Sequence, residues 1–127
     1  MTVATVQRKI LIVEDDADIR GLLNARLRQG SYDTAVATDG MTALAIARRE
    51  QPDLIVLDLG LPAGDGFTVM ERMRAITSLA DIPVVVITAR DAATNRDRAE
   101  ASGAVAFVEK PIDFDQLLET IDALLIS

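Results

Sequence analysis

Several chemically capable residues stand directly behind apolar runs. Ile10-Leu11-Ile12-Val13 leads into Glu14-Asp15-Asp16, and Leu54-Ile55-Val56-Leu57 into Asp58. Val84-Val85-Val86-Ile87 leads into Thr88, and Ala104–Val108 into Glu109-Lys110-Pro111. A run that is apolar at every position reads as a strand covered on both faces, the kind found inside a parallel sheet. All carboxyl ends of a parallel sheet lie on one side, where open α/β sheets hold their ligands. Glu14, Asp15, Asp58, Thr88 and Lys110 would then share one edge. Three carboxylates that close repel unless a cation or a proton intervenes. A hard divalent ion with oxygen ligands answers that need, and Mg²⁺ bound by carboxylates and waters is the natural choice. Lys110 offers a point charge for a phosphoryl oxygen, and Thr88 offers a hydroxyl. Such a set around one aspartate points to phosphoryl transfer, with Asp58 as the attacking oxygen. Taken alone, Asp58 could equally be a cap for the turn through Gly60 and Pro62.

The elements that must position these groups alternate along the chain. After the first strand, Ile19, Leu22, Leu23 and Leu27 form a helical stripe that stops at Gly30. Tyr32 to Ala37 reads as a shorter, more polar strand at a sheet edge. A helix with Met41, Leu44, Ala45 and Ala47 ends near Gln51-Pro52, and the Asp58 strand follows. Asp65-Gly66 opens a helix carrying Phe67, Met70, Met73, Arg74 and Ile76. An Ala-rich helix of weak pattern spans about Ala92 to Ser102, closed by Gly103. The final helix has the clearest stripe: Phe114, Leu117, Leu118, Ile121, Leu124 and Leu125. Five strands alternating with five helices imply right-handed crossovers and a doubly wound parallel sheet, an α/β fold in a single domain. Met1 to Arg8 reads as a flexible tail, leaving residues 9–127 as the domain.

Composition narrows the alternatives. A chain of 127 residues, half of them hydrophobic, can bury roughly two-thirds of its unfolded surface without staples. With neither cysteine nor histidine, disulfides, thiolate or imidazole metal sites and histidine acid–base catalysis are all excluded. A net charge of −7 argues against direct nucleic-acid binding, which needs clustered Lys and Arg. The first residues lack the order of a signal peptide. No apolar run approaches the roughly 20 residues of a membrane helix. The expectation is a cytoplasmic protein with no nucleic-acid or membrane partner.

The residues behind the strands carry a family pattern. Ile12-Val13-Glu14-Asp15-Asp16, Val56-Leu57-Asp58 with Pro62 four residues on, Ile87-Thr88-Ala89 and Phe107-Val108-Glu109-Lys110-Pro111 together resemble the receiver domain of two-component response regulators. The likeness runs from about Lys9 to Leu125. It implies a flavodoxin-like sheet of order 2-1-3-4-5. It also implies that Asp58 is the phosphoacceptor, fed by a sensor histidine kinase, a histidine phosphotransfer protein or a small acyl phosphate. By the same resemblance Asp15 binds Mg²⁺ directly, Glu14 directly or through water, and the Gly60 carbonyl adds a ligand. Thr88 and Phe107 form the switch pair, and Lys110 pairs with Asp58 at rest. The Lys110-Pro111 peptide is expected to be cis. The domain would act on its own phosphorylation only, without turnover as an enzyme, and signal to a downstream protein.

Plainer roles stand beside these. Asp16 reads as a helix cap rather than a ligand. Thr88 could be an ordinary strand residue and Phe107 ordinary core. Gly64-Asp65-Gly66 lacks the context of a dinucleotide fingerprint. A flavin site would need a loop of Ser, Thr and Gly where Glu14-Asp15-Asp16 stands. An aspartate-nucleophile phosphatase of the haloacid-dehalogenase type would need an acid where Gly60 is. Gly60 and Arg90 hold the two variable rim positions that influence acyl-phosphate hydrolysis in the family. The last helix offers Gln116, Glu119, Thr120 and Asp122 with no base, unlike the receivers that dimerise through that face. With no effector domain after Ser127, the expectation is a stand-alone receiver or relay module, or else a fragment of a larger regulator or hybrid kinase. Its output surface would lie around Ala92 to Ser102, Phe107 and the last helix.

Overall fold

A computed structural model describes residues 7–61, 66–89 and 93–126. The elements follow the expected alternation: β1 Lys9–Val13, α1 Ala17–Gln29, β2 Asp33–Ala37, α2 Gly40–Glu50, β3 Leu54–Asp58, α3 Gly66–Ala75, β4 Val84–Thr88, α4 Ala93–Ala101, β5 Ala106–Glu109 and α5 Phe114–Leu125. The sheet is parallel with order β2-β1-β3-β4-β5. The polar strand is indeed at an edge, and β3 is the central one.

Successive strand residues face opposite sides, so each fully apolar strand feeds two cores. Leu11, Ile55, Leu57 and Val86 pack on α2 and α3 through Ala43, Ala47, Phe67, Met70 and Met73. Ile10, Ile12, Val56 and Ile87 pack on α1 and α5 through Leu23, Leu27, Leu117 and Ile121. All five residues of β3 and of β4 are buried. Asp58 therefore ends a strand with no slack on either face.

Local chemistry sets the helix ends. Asp16 Oδ1 accepts from the amides of Asp18 (2.9 Å) and Ile19 (3.1 Å), which makes it the expected cap of α1. Asp39 and Asp113 cap α2 and α5 in the same way. Gly103, at φ 105°, closes α4 in a conformation that side-chain-bearing residues rarely adopt. The Lys110-Pro111 bond is cis.

Some expectations shift. Leu22, placed on the apolar face of the first helix, is 54% exposed, and Met41, named among the apolar residues of the second, is 74% exposed; both fall outside the arc that the sheet covers. The fifth strand begins at Ala106 rather than Ala104, and Val105 instead bonds through its amide to the Val84 carbonyl. Tyr32 precedes β2 as a buried wedge whose hydroxyl donates to Asp122 of α5. Burial and that carboxylate push its pKa up to about 12. Of the expected tail, residues 1–6 lie outside the described residues. Gln7 donates to the Ser31 carbonyl (3.0 Å), and the Arg8 carbonyl accepts from the Asp33 amide (2.8 Å). Pro62, Gly64, Asp65, Arg90 and Ala92 also lie outside the described residues.

Candidate active site

The carboxyl ends of β1, β3, β4 and β5 surround a cleft of about 370 Å³, bounded by residues 14–16, 58–60, 88–89 and Lys110. Glu14, Asp58 and Thr88 are the buried polar side chains of the described residues, at 1%, 5% and 2% exposure. Parallel pairing brings them together, since β1 and β4 both pair with β3. On the far side, the Lys110 amide donates to the Thr88 carbonyl at 2.8 Å.

Asp58 has a different partner on each oxygen. Oδ1 accepts from the Gly60 amide at 2.9 Å, and Oδ2 lies 3.4 Å from Lys110 Nζ. Lys110 Nζ also lies 3.5 Å from Glu14 Oε1. Burial alone would lower the lysine pKa, but the Asp58 and Glu14 carboxylates outweigh it and raise it. The ammonium stays charged. Burial pushes Glu14 from its ordinary 4.5 up to about 7, and the neighbouring Asp58 carboxylate adds to the rise, against the Asp16 amide and Lys110.

Glu14 Oε2 accepts from the Asp16 amide at 3.2 Å. Oε1, fully buried, has no hydrogen-bond partner. Carboxylate oxygens of Glu14, Asp15 and Asp58 lie within 4.8 Å of one another. A buried oxygen with Lys110 Nζ at 3.5 Å but no hydrogen bond, among three converging carboxylates, suits the donor set of a hard divalent cation, so the residues present fit Mg²⁺.

The fold thus brings Glu14, Asp15, Asp58, Gly60, Thr88 and Lys110 to one cleft. Phe107 is not among its walls. It is half-buried on β5, beside a second cleft of about 240 Å³, with the Arg96 guanidinium 4.9 Å from its ring centre. Sequence reasoning overlooked Arg20. Its Nη1 donates to the carbonyls of Glu14 (3.1 Å) and Asp15 (3.3 Å), fixing the loop that carries both acids. A long side chain in the first turn of a helix leans back toward the N-terminus, and that was the available signal.

A doubly wound α/β domain with an acidic cleft at its carboxyl edge is the class that this geometry defines. The family model for the response regulator receiver domain matches residues 10–122, and the chain belongs to that family. It is 42% identical over 117 residues to the DNA-binding dual master transcriptional regulator RpaA of Synechocystis, a match covering 92% of this chain and 48% of that one. The chain therefore spans about half the length of that relative. Among solved structures it resembles the chemotaxis response regulator CheY4 of Vibrio cholerae, with 28% identity and a TM-score of 0.88 over 94% of this chain and all of that one. It also resembles the receiver domain of the sensor histidine kinase PA1611 from Pseudomonas aeruginosa, described with a magnesium ion coordinated in its active site cleft. That match has 26% identity and a TM-score of 0.86, over 94% of this chain and 98% of that one. Among the described residues, no helix is long and apolar enough to cross a membrane.

Proposed function

We propose that residues 9–127 form a cytoplasmic phosphoacceptor unit in which Asp58 takes a phosphoryl group from the phosphohistidine of a kinase or phosphotransfer protein. The observation that carries this reading is the double grip on Asp58, with Gly60 N–H on one oxygen and Lys110 Nζ beside the other. An Asp58 oxygen forms the new O–P bond while the P–N bond to the donor imidazole breaks, the imidazole keeping the electron pair. Lys110 balances Asp58 at rest and can follow the charge onto the phosphoryl oxygens. Glu14, Asp15, Asp58 and the Gly60 carbonyl would hold Mg²⁺, which when bound neutralises charge on the phosphoryl oxygens. Thr88, at the cleft wall, turns its hydroxyl to the new anion, and Phe107 moves inward behind it, biasing a two-state equilibrium. The α4–β5 face then presents itself to a downstream protein or domain. The net charge of −7 supports no direct nucleic-acid contact by this segment. The reaction is stoichiometric, and the protein is not a turnover enzyme.

Intact mass after incubation with a small phosphodonor tests the reading. One phosphoryl adduct per chain is expected, dependent on Mg²⁺ and lost in Asp58→Asn. An undiminished adduct in that variant, or one formed equally without Mg²⁺, overturns it. A second expectation concerns lifetime. Among the described residues a Cβ on residue 60 would meet Asp58 Oδ1 at an ordinary 3.5 Å, so a side chain can start there, and a longer one would screen the acyl phosphate from water. Gly60→Met should therefore slow loss of the adduct severalfold, followed by mass over time. An unchanged decay would remove Gly60 as a determinant of lifetime.

A further inference from the structure

Of the described α4 side chains, only Ala99 is buried, so α4 lacks the apolar stripe that fastens an ordinary amphipathic helix. Two arginines stand in for it. The Arg98 guanidinium lies 4.0 Å from the centre of the Phe67 ring, and that of Arg96 lies 4.9 Å from the centre of the Phe107 ring. Both are within the range at which a ring face attracts a cation. The rings differ in freedom. Phe67 is 5% exposed, on the core-facing side of α3. Phe107 packs only at the margin of that core and borders an open cleft with Arg96, Glu100 and Ala104. One cation sits on a fixed ring, the other on a ring with space beside it.

We propose that Arg96 is a positioning residue that latches the Phe107 ring in its outward, resting place, while Arg98 on Phe67 is the pivot for α4 when that latch opens. This rests on the reading of Phe107 as the switch aromatic. The Arg96 contact belongs to the outward state alone, so removing it favours the inward one. A contact of this kind at an exposed site weighs an equilibrium by about two- to fivefold. The Arg98 contact is present in both states and leaves the balance unchanged. Phosphorylation then has one charge-on-ring contact to undo, and undoing it frees one end of the helix.

The test uses the whole chain with its three phenylalanines replaced by a fluorinated analogue, the Phe107 resonance being assigned by Phe107→Leu. In the unmodified sequence the resonance should move on adding Mg²⁺ with beryllium fluoride, a mimic of the phosphoryl group. In Arg96→Ala the resting resonance should lie part-way along that same path, and the small phosphodonor should modify Asp58 about two- to fivefold faster. Arg96→Lys should behave as wild type, and Arg98→Ala should leave both readouts unmoved. In a Phe107→Leu background Arg96→Ala should change no rate. Arg96 is exposed, and an unchanged melting temperature verifies that its variants fold. A wild-type resonance that responds to the mimic, with no shift or rate change in Arg96→Ala, overturns the latch and leaves the switch standing. A wild-type resonance that ignores the mimic overturns the switch and the latch together.

Discussion

Glu14→Gln is expected to stabilise the protein at pH 8 and to leave its stability nearly unchanged at pH 4. The folded protein holds the Glu14 proton up to about pH 7, whereas the unfolded chain releases it near 4.5. Between those values the native state binds the extra proton, so stability falls as pH rises. This is the reverse of a carboxylate whose ion pair outweighs its burial; here burial outweighs the Lys110 pair. The cost of ionising Glu14 is absent below pH 4.5, grows through the interval and is complete above 7, with a ceiling of about 3 kcal/mol. Glutamine avoids that cost, and its amide oxygen can still accept from the Asp16 amide. Urea unfolding of both proteins across the pH range reads the difference directly. A variant equally stabilised at pH 4 and pH 8 would show that shape, not charge, is responsible. Mg²⁺ should narrow the gap at pH 8, because the ion adds positive charge to that of Lys110 beside the buried carboxylate.

Gly66→Ala and Gly21→Ala should move stability in opposite directions. A Cβ at Gly66 would sit 3.0 Å from the Asp58 carbonyl oxygen, from Leu59 Cα and from Leu59 Cδ2. Two of those three atoms are backbone, so the clash cannot be relieved by turning a side chain. Either α3 lifts or the chain behind the phosphoacceptor shifts. Overpacking of this kind costs about 1–3 kcal/mol, against a helix-propensity gain of at most about 1 kcal/mol. With the full propensity gain the net expectation is a loss of up to about 2 kcal/mol, together with slower phosphorylation of Asp58. At Gly21, within α1, nothing lies within 4 Å of the added carbon. There the same change should gain roughly 0.5–1 kcal/mol. Paired denaturation curves decide the matter, and a Gly66→Ala protein as stable as wild type would refute the close approach.

Helix alternation and the edge that gathers the site were legible because fully apolar runs must be covered on both faces. Ile10–Val13, Leu54–Leu57 and Val84–Ile87 must be covered on both faces, and helices between parallel strands supply the cover. Glu14, Asp15, Asp58, Thr88 and Lys110 follow from that geometry, each being the residue at or just past a strand's end. The family pattern added the order of the sheet and the Lys110-Pro111 isomer. What escaped the sequence depends on partners distant along the chain. Arg20 looks like any helix arginine until its guanidinium is seen on two carbonyls. Gly66 looked like a fragment of a fingerprint, yet its role is to let a helix touch backbone. Leu22 and Met41 satisfy a periodicity without being inside. Each of the three phenylalanines lies under an arginine, Arg98 on Phe67, Arg96 on Phe107 and Arg26 on Phe114. No spacing rule could have matched those pairs, because each joins different elements.

The single buried alanine of α4 has a thermodynamic consequence. The heat capacity of a conformational change follows the apolar surface it exposes or covers. Among the described side chains of α4 the buried apolar one is a single methyl group, so moving the helix changes the surface that these side chains cover very little. In a balance between resting and signalling arrangements, the described side chains of α4 would therefore add little curvature to a van't Hoff plot, and the inward turn of the Phe107 ring would supply most of it. The set point would then depend on temperature through one aromatic ring and on phosphorylation through the charge at Asp58.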